Sequence, residues 1–453
     1  MKPAIGNVLS ISPLANHSLD TLHDASLKIL AQTGVNVHCP ELRSMLKSVG
    51  AVVKDELRVH IPSDLVTRAL ATAPPRVELY DRNGKSAMIL ENAQCYFGTG
   101  SDLEYTMDGL TCERRRSTLN DVKNAAKLCD KLPNIDFVMS YALPRDVTTS
   151  ECEVEQFRVM LENTTKPIIM TLFSGRTTFE KIHQLACRYG GGERTFRGKP
   201  NYIMYGQFVS PLQHDSGALE RLVFCADHGI PLIYVPTIMM GASGPVTLAG
   251  ALALANAECL AGLVIHQLRS PGAPFIYGGC VSPLDMSTTV FAYNSPEWRI
   301  ADVVLSQLSR RYKLPVFGTA GATDAKAVDA QAGAEWAYSL LTCALAGTNL
   351  IHDVGYLASG MMGSLEALVI CDELVGMVKR VLHGFEIDET ALALEVIHRV
   401  GPGGNFLEEQ HTLDHFRNNT WYPSLFSREH HEKEQGKDLL TLAHERAIHL
   451  LED

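Results

Sequence analysis

Eight short apolar runs recur from residue 95 onward, each followed by a stretch of helical periodicity. They are CYFGTGSD (95–102), IDFVMSYAL (135–143), KPIIMTLFSG (166–175), NYIMYGQFVSP (201–211), IPLIYVPTIM (230–239), APFIYGGCVSP (273–283), LPVFGTAGATD (314–324) and NLIHDVGYLASG (349–360). Neighbouring runs begin roughly 30–45 residues apart, the length of one strand–helix unit. Strands that are apolar throughout and alternate with helices belong to a parallel sheet covered on both faces. Eight such units predict an α/β fold closed into a (β/α)8 TIM barrel, whose strand-end residues converge on one mouth.

A bare barrel needs roughly 250 residues, so a chain of 453 carries about 200 more. The pattern predicts a helical N-terminal cap over residues 1–92, a barrel over 93–385 and a C-terminal helical extension over 386–453 packed on the barrel. In the head, HSLDTLHDASLKILAQTG has helical spacing and stops at Gly34, CPELRSMLKSVG repeats it, LRVHIP reads as a strand, and PSDLVTRALATAPP closes at Pro74-Pro75. The clearest barrel helix is STLNDVKNAAKLCDKL, with Ser117 or Thr118 as N-cap and Asp121 reaching back. In the tail a GPGGNFL turn (401–407) leads to a loop, HTLDHFRNNTWYPSLFSR, and a charged amphipathic helix. Trp421 and Tyr422 are expected to dock on the barrel or on a neighbouring subunit of a homo-oligomer.

Composition narrows the partners. A net charge of -11 leaves no basic footprint, so nucleic acid is not expected. The N-terminus lacks a charged segment leading into an apolar one, which argues against secretion. The longest apolar stretch, Leu248 to Leu268, contains Asn256, Glu258, His266 and Gln267, and reads as a buried barrel helix rather than a membrane span. Eleven cysteines are scattered singly without a CxxC, as structural thiols of a reducing cytoplasm would be. A metal is disfavoured: catalytic zinc needs three protein ligands, and neither a His-x-Cys nor a His-Glu-x-x-His is present. His430-His431 sits in a charged, solvated tail segment.

Strand ends supply the candidate site. The seventh run closes on Gly318-Thr319-Ala320-Gly321-Ala322-Thr323-Asp324, where small residues either leave backbone N–H groups open to a carboxylate or form a tight turn, with Asp324 near a ligand or capping a helix. The eighth closes on His352-Asp353, then Tyr356, with His352 as a proton-handling or orienting group. Phe97, Tyr141 and Tyr356 could meet as a cage for a quaternary ammonium, where cation–π attraction is worth about 2 kcal/mol when desolvated, although any one of them alone reads more readily as core. Gln207 lies in YGQFVSPL (205–212), partly repeated as YGGCVSPL (277–284); the repeat is either duplicated packing or a shared role at the mouth.

Taken in order, YFGTGSD (96–102), ENTTKP (162–167), YGGCVSPLDM (277–286), GTAGATDAKAVDAQAGAEW (318–336) and GPGGNFLEEQHTLDHFRNNTWYP (401–423) resemble the trimethylamine methyltransferase (MttB-like) family, as does GVNVHCPELRSMLKSVGA in the head. The resemblance covers essentially the whole chain. It implies a TIM barrel that moves a methyl group from an amine to the cobalt of cobalamin carried by a separate corrinoid protein, with no cofactor bound by this chain. Trimethylamine enzymes of that family carry pyrrolysine; this chain has only standard residues and so resembles the non-pyrrolysine branch, whose members demethylate quaternary amines such as glycine betaine. Strand-end position, not the resemblance, marks His352 and Asp324 as candidate catalytic residues and Phe97, Tyr141, Gln207, Gly321 and Tyr356 as candidate substrate-binding residues. The alternatives are another methylamine donor, a non-catalytic quaternary-amine binder or, more remotely, a pterin-dependent methyltransferase.

Overall fold

The computed structural model describes residues 10–111, 113–430 and 436–452, which leaves His431 and the first nine residues outside the described part. Each of the eight runs contributes one strand. These are β1 (Tyr96–Phe97), β2 (Val138–Met139), β3 (Ile168–Thr171), β4 (Tyr202–Phe208), β5 (Leu232–Met240), β6 (Phe275–Gly278), β7 (Val316–Thr319) and β8 (Leu350–His352). All neighbours pair in parallel in the order 1-8-7-6-5-4-3-2, and a parallel bridge between Gly98 and Phe137 joins β1 to β2 and closes the ring. The chain is a (β/α)8 barrel. Its helices are α1 (Leu119–Lys131), α2 (Cys152–Asn163), α3 (Arg176–Tyr189), α4 (Ser216–His228), α5 (Leu248–Arg269), α6 (Pro296–Tyr312), α7 (Ala330–Leu345) and α8 (Leu365–His383).

Strand alternation sorts the apolar residues into two cores. Outward-facing Met204, Leu232, Tyr234, Phe275 and Ile351 pack under the helices. Inward-facing Phe137, Met139, Ile169, Ile203, Tyr205, Ile233, Val235, Ile276, Phe317 and Leu350 fill the barrel. The foot of the barrel is plugged by an antiparallel hairpin, Val77–Tyr80 with Ser86–Leu90, whose Val77, Leu79, Met88 and Leu90 join the interior cluster. The Tyr80 amide donates to Pro200 O (2.9 Å) and the Arg82 amide to Thr165 O (2.8 Å), just before β4 and β3. The sequence analysis placed only helices and one strand in this head segment. The hairpin's alternation is visible in VELY and SAMIL, but its burial needed the barrel around it.

α5 explains its own composition. It is long and apolar enough to cross a membrane, yet most of it is buried. One face lies on the sheet and the opposite face is covered by the helices Asn16–Lys28 and Ser63–Thr72, so it is apolar all round. Its polar residues are each bonded. Asn256 donates to Ser26 Oγ and Tyr312 Oη (both 2.9 Å) and accepts from Tyr277 Oη (2.8 Å). Glu258 accepts from Ser210 Oγ (2.8 Å) and from the Leu212 amide. These bonds tie the head to the barrel wall.

α1 starts at a capping box: Thr118 is the N-cap, and its amide donates to Asp121 Oδ2 at 2.8 Å. Arg115 grips the same carboxylate at 2.6 and 2.7 Å. The final helix, Leu439–Glu452, packs on α8 and α1. Residues 410–419, read as loop from sequence, form a helix (Gln410–Asn419). Glu373 of α8 anchors the chain beyond it through the Ser424 amide (2.8 Å), Ser424 Oγ (2.6 Å) and the Leu425 amide (3.1 Å). Trp421 lies against Gly376 of α8, while Tyr422 is exposed.

Candidate functional site at the barrel mouth

Above the apolar filling, the inward parity of the strands continues into Thr171, Gln207, Thr237, Cys280, Thr319 and His352. Neighbours in this ring touch: Gln207 Nε2 donates to Thr237 Oγ1, Cys280 Sγ lies 3.7 Å from Thr319 Oγ1, and Thr319 Oγ1 lies 3.5 Å from His352 Nδ1. Gln207 is exposed to the mouth. β1 contributes no side chain at Gly98 and Gly100. A Cβ on Gly100 would fall 1.7 Å from Asp353 Oδ1, so its absence lets the β8 loop cross over β1.

Two carboxylates sit on this ring. Asp102 and Asp353 both follow strand ends in the left-handed region, at φ 68° and 73°, which aspartate tolerates better than most residues. Asp353 is buried, accepts from the Tyr293 hydroxyl, and lies 3.4 Å from His352 Nε2. Burial raises its pKa, while His352 and Tyr293 oppose the rise. Asp102 accepts from Ser101 Oγ at 2.9 Å, and desolvation, with Asp353 and Glu153 adding repulsion, pushes it up to about 7. Among the described residues neither acid has a lysine or arginine partner.

His352 Nδ1 is 2.9 Å from Gly318 O, an acceptor only, so Nδ1 carries hydrogen, while Nε2 faces Asp353. The ring stacks on Phe317 with centroids 4.1 Å apart. Tyr205 and Tyr293 complete the wall. Tyr205 packs on Phe317 (5.5 Å), and Tyr293 arrives from the loop before α6. Tyr205, Tyr293, Cys280, Asp102 and Asp353 are close enough to act on one another's ionisation, and burial holds both phenols protonated. The result is a mouth with two tyrosines and two acids that lack a lysine or arginine partner among the described residues, suited chemically to a small cation.

Of the residues singled out from the sequence, the structure brings Gln207 and His352 together on the mouth ring. Tyr356 stands directly behind the acid pair, buried, and its ring meets Tyr141 edge-on at 6.1 Å. Tyr141 is itself buried, with φ 59°. Phe97 is not brought into the mouth: as the outward residue of a two-residue strand it is fully buried under α8, with Lys379 Nζ 5.6 Å from its ring. Gly321 is a turn residue at φ 80° whose amide donates to Ser339 Oγ (3.0 Å). The amides of Ala320, Thr323 and Asp324 are also engaged, by His352 O, Tyr356 O and Glu335 Oε2, so this segment is a tight turn rather than an open anion cradle. Asp324 accepts from the Tyr293 and Asn294 amides (3.2 and 3.1 Å) and from Ser359 Oγ (2.6 Å), and thereby holds in place the loop that carries Tyr293.

Sequence reading left out Tyr205 and Tyr293 and used Asp102 only as the end of a run. Tyr205 shares parity with Ile203 and Gln207, a signal that was readable. Tyr293 sits in a loop whose path no spacing reveals.

Comparison with known proteins bears on the class of this barrel. A crystal structure of the Methanosarcina barkeri monomethylamine methyltransferase (MtmB) matches with a TM-score of 0.54, covering 82% of this chain and 77% of that one; at 9% identity it speaks for the fold alone. A trimethylamine methyltransferase (MttB) from Desulfitobacterium hafniense (strain DSM 10664 / DCB-2) is 31% identical over 98% of this chain and 90% of its own length. One from Methanosarcina thermophila is 33% identical over 99% and 94%. A glycine betaine methyltransferase from Desulfitobacterium hafniense (strain Y51) is 30% identical over 92% and 86%. The family model described as trimethylamine methyltransferase (MTTB) matches residues 2–453. A closed barrel with a cation-suited mouth, matched end to end by that model, places the chain in the trimethylamine methyltransferase (MTTB) family.

Proposed function

We propose that this protein transfers a methyl group from a quaternary amine, with glycine betaine the foremost candidate, to the Co(I) of cobalamin on a separate corrinoid protein in the cytoplasm. The observation that carries this reading is the mouth itself: Tyr205 and Tyr293 beside Asp102 and Asp353, with no lysine or arginine paired to either acid among the described residues. Two carboxylates close together at a partly desolvated site repel each other. A quaternary ammonium relieves that repulsion and gains cation–π contact with the phenol faces.

The chemistry asks little of the protein in proton transfer. The methyl carbon of a quaternary ammonium is already electrophilic. When the C–N bond breaks, nitrogen keeps the electron pair and leaves as a neutral tertiary amine, dimethylglycine in the case of glycine betaine. The corrinoid supplies a strong cobalt nucleophile. The chain's residues orient one N–CH3 bond in line with the incoming cobalt and exclude water. Gln207 and Thr237 are placed to meet the donor's carboxylate, His352 to position Asp353, and Asp324 and Gly321 to shape the loop that bears Tyr293. Phe173, Val209, Val246, Met286, Val290 and Met361 are large exposed apolar residues on the loops after β3, β4, β5, β6 and β8. An apolar rim around a site is what a docking partner protein would cover. The exposed Phe385, Ile387, Leu394, Leu407 and Leu413 support, separately, self-association through the C-terminal segment.

A second reading has trimethylamine as the donor, since two of the relatives above bear that name and its protonated form is also a cation. The test is anaerobic incubation with reduced cobalamin or a cognate corrinoid protein and a panel of betaines, carnitine, trimethylamine and dimethylamine, following loss of Co(I) absorbance. Methylation with glycine betaine and release of dimethylglycine support the proposal. Turnover of trimethylamine alone supports the second reading. Tight betaine binding with no transfer to any corrinoid overturns both and leaves a binding protein.

A further inference from the structure

At the foot of the barrel, three elements bring together His183 of α3, Glu193 of the short helix Glu193–Gly198 and His228 at the end of α4. One ligand atom from each lies within 4.8 Å of the others. Cys187, one turn after His183, adds a thiol: its Sγ is 3.6 Å from His183 Nε2 and 3.6 Å from Glu193 Oε2. His183 Nε2 is 3.1 Å from Glu193 Oε2, and His228 Nδ1 is 3.6 Å from Glu193 Oε1. From this geometry we infer that His183, Glu193 and His228 form a zinc site, with the Cys187 thiol beside it, independent of methyl transfer.

Metal–ligand bonds of roughly 2.0–2.3 Å set tetrahedral ligand–ligand edges of roughly 3.3–3.8 Å. The His228 Nδ1–Glu193 Oε1 separation of 3.6 Å falls in that range and is too long for a hydrogen bond, while His183 Nε2 and Glu193 Oε2 stand at hydrogen-bond distance. The histidines are also prepared for metal. His183 Nδ1 lies 3.1 Å from the Tyr202 hydroxyl, and with Nδ1–H donating there the Nε2 lone pair points into the cluster, as ligating histidines are held by an outer partner. Burial lowers the His183 pKa, which favours the neutral ligand form. His228 Nδ1, which faces the cluster, is buried without a hydrogen-bond partner. Burial and the Glu193 carboxylate push the Cys187 thiol up to about 12, so it stays protonated beside the site.

Donor type selects the ion. Two imidazoles and a carboxylate form a borderline set that suits Zn2+ over hard Mg2+ or Ca2+, with water to complete the tetrahedron. Glu193 is half exposed and gives the ion a way in. The staple would pin the Gly190-Gly191-Gly192 turn between α3 and the short helix to the end of α4. The spacing His183-x3-Cys187-x5-Glu193 with His228 35 residues later matches no compact zinc motif, so the sequence analysis, which disfavoured a metal, had no signal to read.

The test uses untagged full-length protein dialysed against metal-free buffer and then given zinc or cobalt from a metal buffer. One equivalent of zinc by elemental analysis is expected. With Co2+, intense tetrahedral d–d bands are expected in the wild-type protein. Cys187→Ser should leave them in place. His228→Gln should weaken zinc binding at least tenfold with the fold retained by circular dichroism. A wild-type protein that takes up no stoichiometric zinc and gives only octahedral cobalt absorption overturns the proposal, whatever the variants do. Methyl transfer is not the readout, so the site stands or falls apart from the function proposed above.

Discussion

The Tyr356 hydroxyl donates to the Tyr141 carbonyl at 2.9 Å, fastening the loop after β8 to the end of β2 across 215 residues of sequence. Both residues are buried, so this bond holds two walls of the mouth at a fixed spacing without lining it. Tyr356→Phe would remove one of the two bonds this carbonyl accepts, the other coming from the Leu103 amide at 3.1 Å. A stability loss of about 0.5–1.5 kcal/mol is expected in chemical denaturation. Donor affinity should change less than twofold; a large affinity loss with the fold intact would move Tyr356 into the donor site.

The aromatic wall is tested at Tyr205 and Tyr293. Replacing either by leucine keeps much of the volume and removes the π face. The expected loss of quaternary-amine affinity is about 30-fold, corresponding to about 2 kcal/mol. Tyr205→Phe retains the face and should cost little. Calorimetry with glycine betaine and an uncharged isostere separates charge recognition from shape, and equal losses for both ligands would remove the cation–π argument.

Asp102 titrates near neutrality, with its pKa raised from 3.8 to about 7. Between those values the folded protein holds a proton that the unfolded chain has lost, so this group makes stability fall as pH rises across that window. Binding runs the other way: a cation prefers the ionised carboxylate, so donor affinity should rise as pH passes upward through about 7. Asp102→Asn should flatten both profiles and weaken donor binding about tenfold, roughly 1.4 kcal/mol. A pH-independent affinity in the wild type would count against a role for Asp102.

Gly100→Ala tests the crossing of β1 by the β8 loop. The new Cβ overlaps Asp353 Oδ1, and the contact cannot be relieved without moving that carboxylate away from Tyr293. Overpacking of this kind costs about 1–3 kcal/mol. Thermal melting should show that loss together with at least a tenfold fall in donor affinity. A stable variant with normal affinity would show that Asp353 is free to move.

The plug at the barrel foot is an independent handle on stability. Leu79→Ala removes a fully buried side chain from the interior cluster, for an expected loss of about 2–5 kcal/mol in urea unfolding, with donor affinity unchanged in the remaining folded protein.

The strand count, their order, the apolar helix α5 and the Thr118–Asp121 cap were all legible in the sequence, because each depends on local periodicity or on a side chain reaching its own backbone. Which strand-end residues share a space was only partly legible. In a strand as short as β1, facing is set by the ring's twist and closure, which turned Phe97 outward. Tyr293 reaches the mouth from a loop held by Asp324, and Asp353 reaches over β1 only because Gly100 has no side chain. His183, Cys187, Glu193 and His228 meet because two helices and a turn pack at one end of the barrel. Contacts between residues far apart in sequence are stabilised by the packing of the whole chain, so tertiary structure alone decided them.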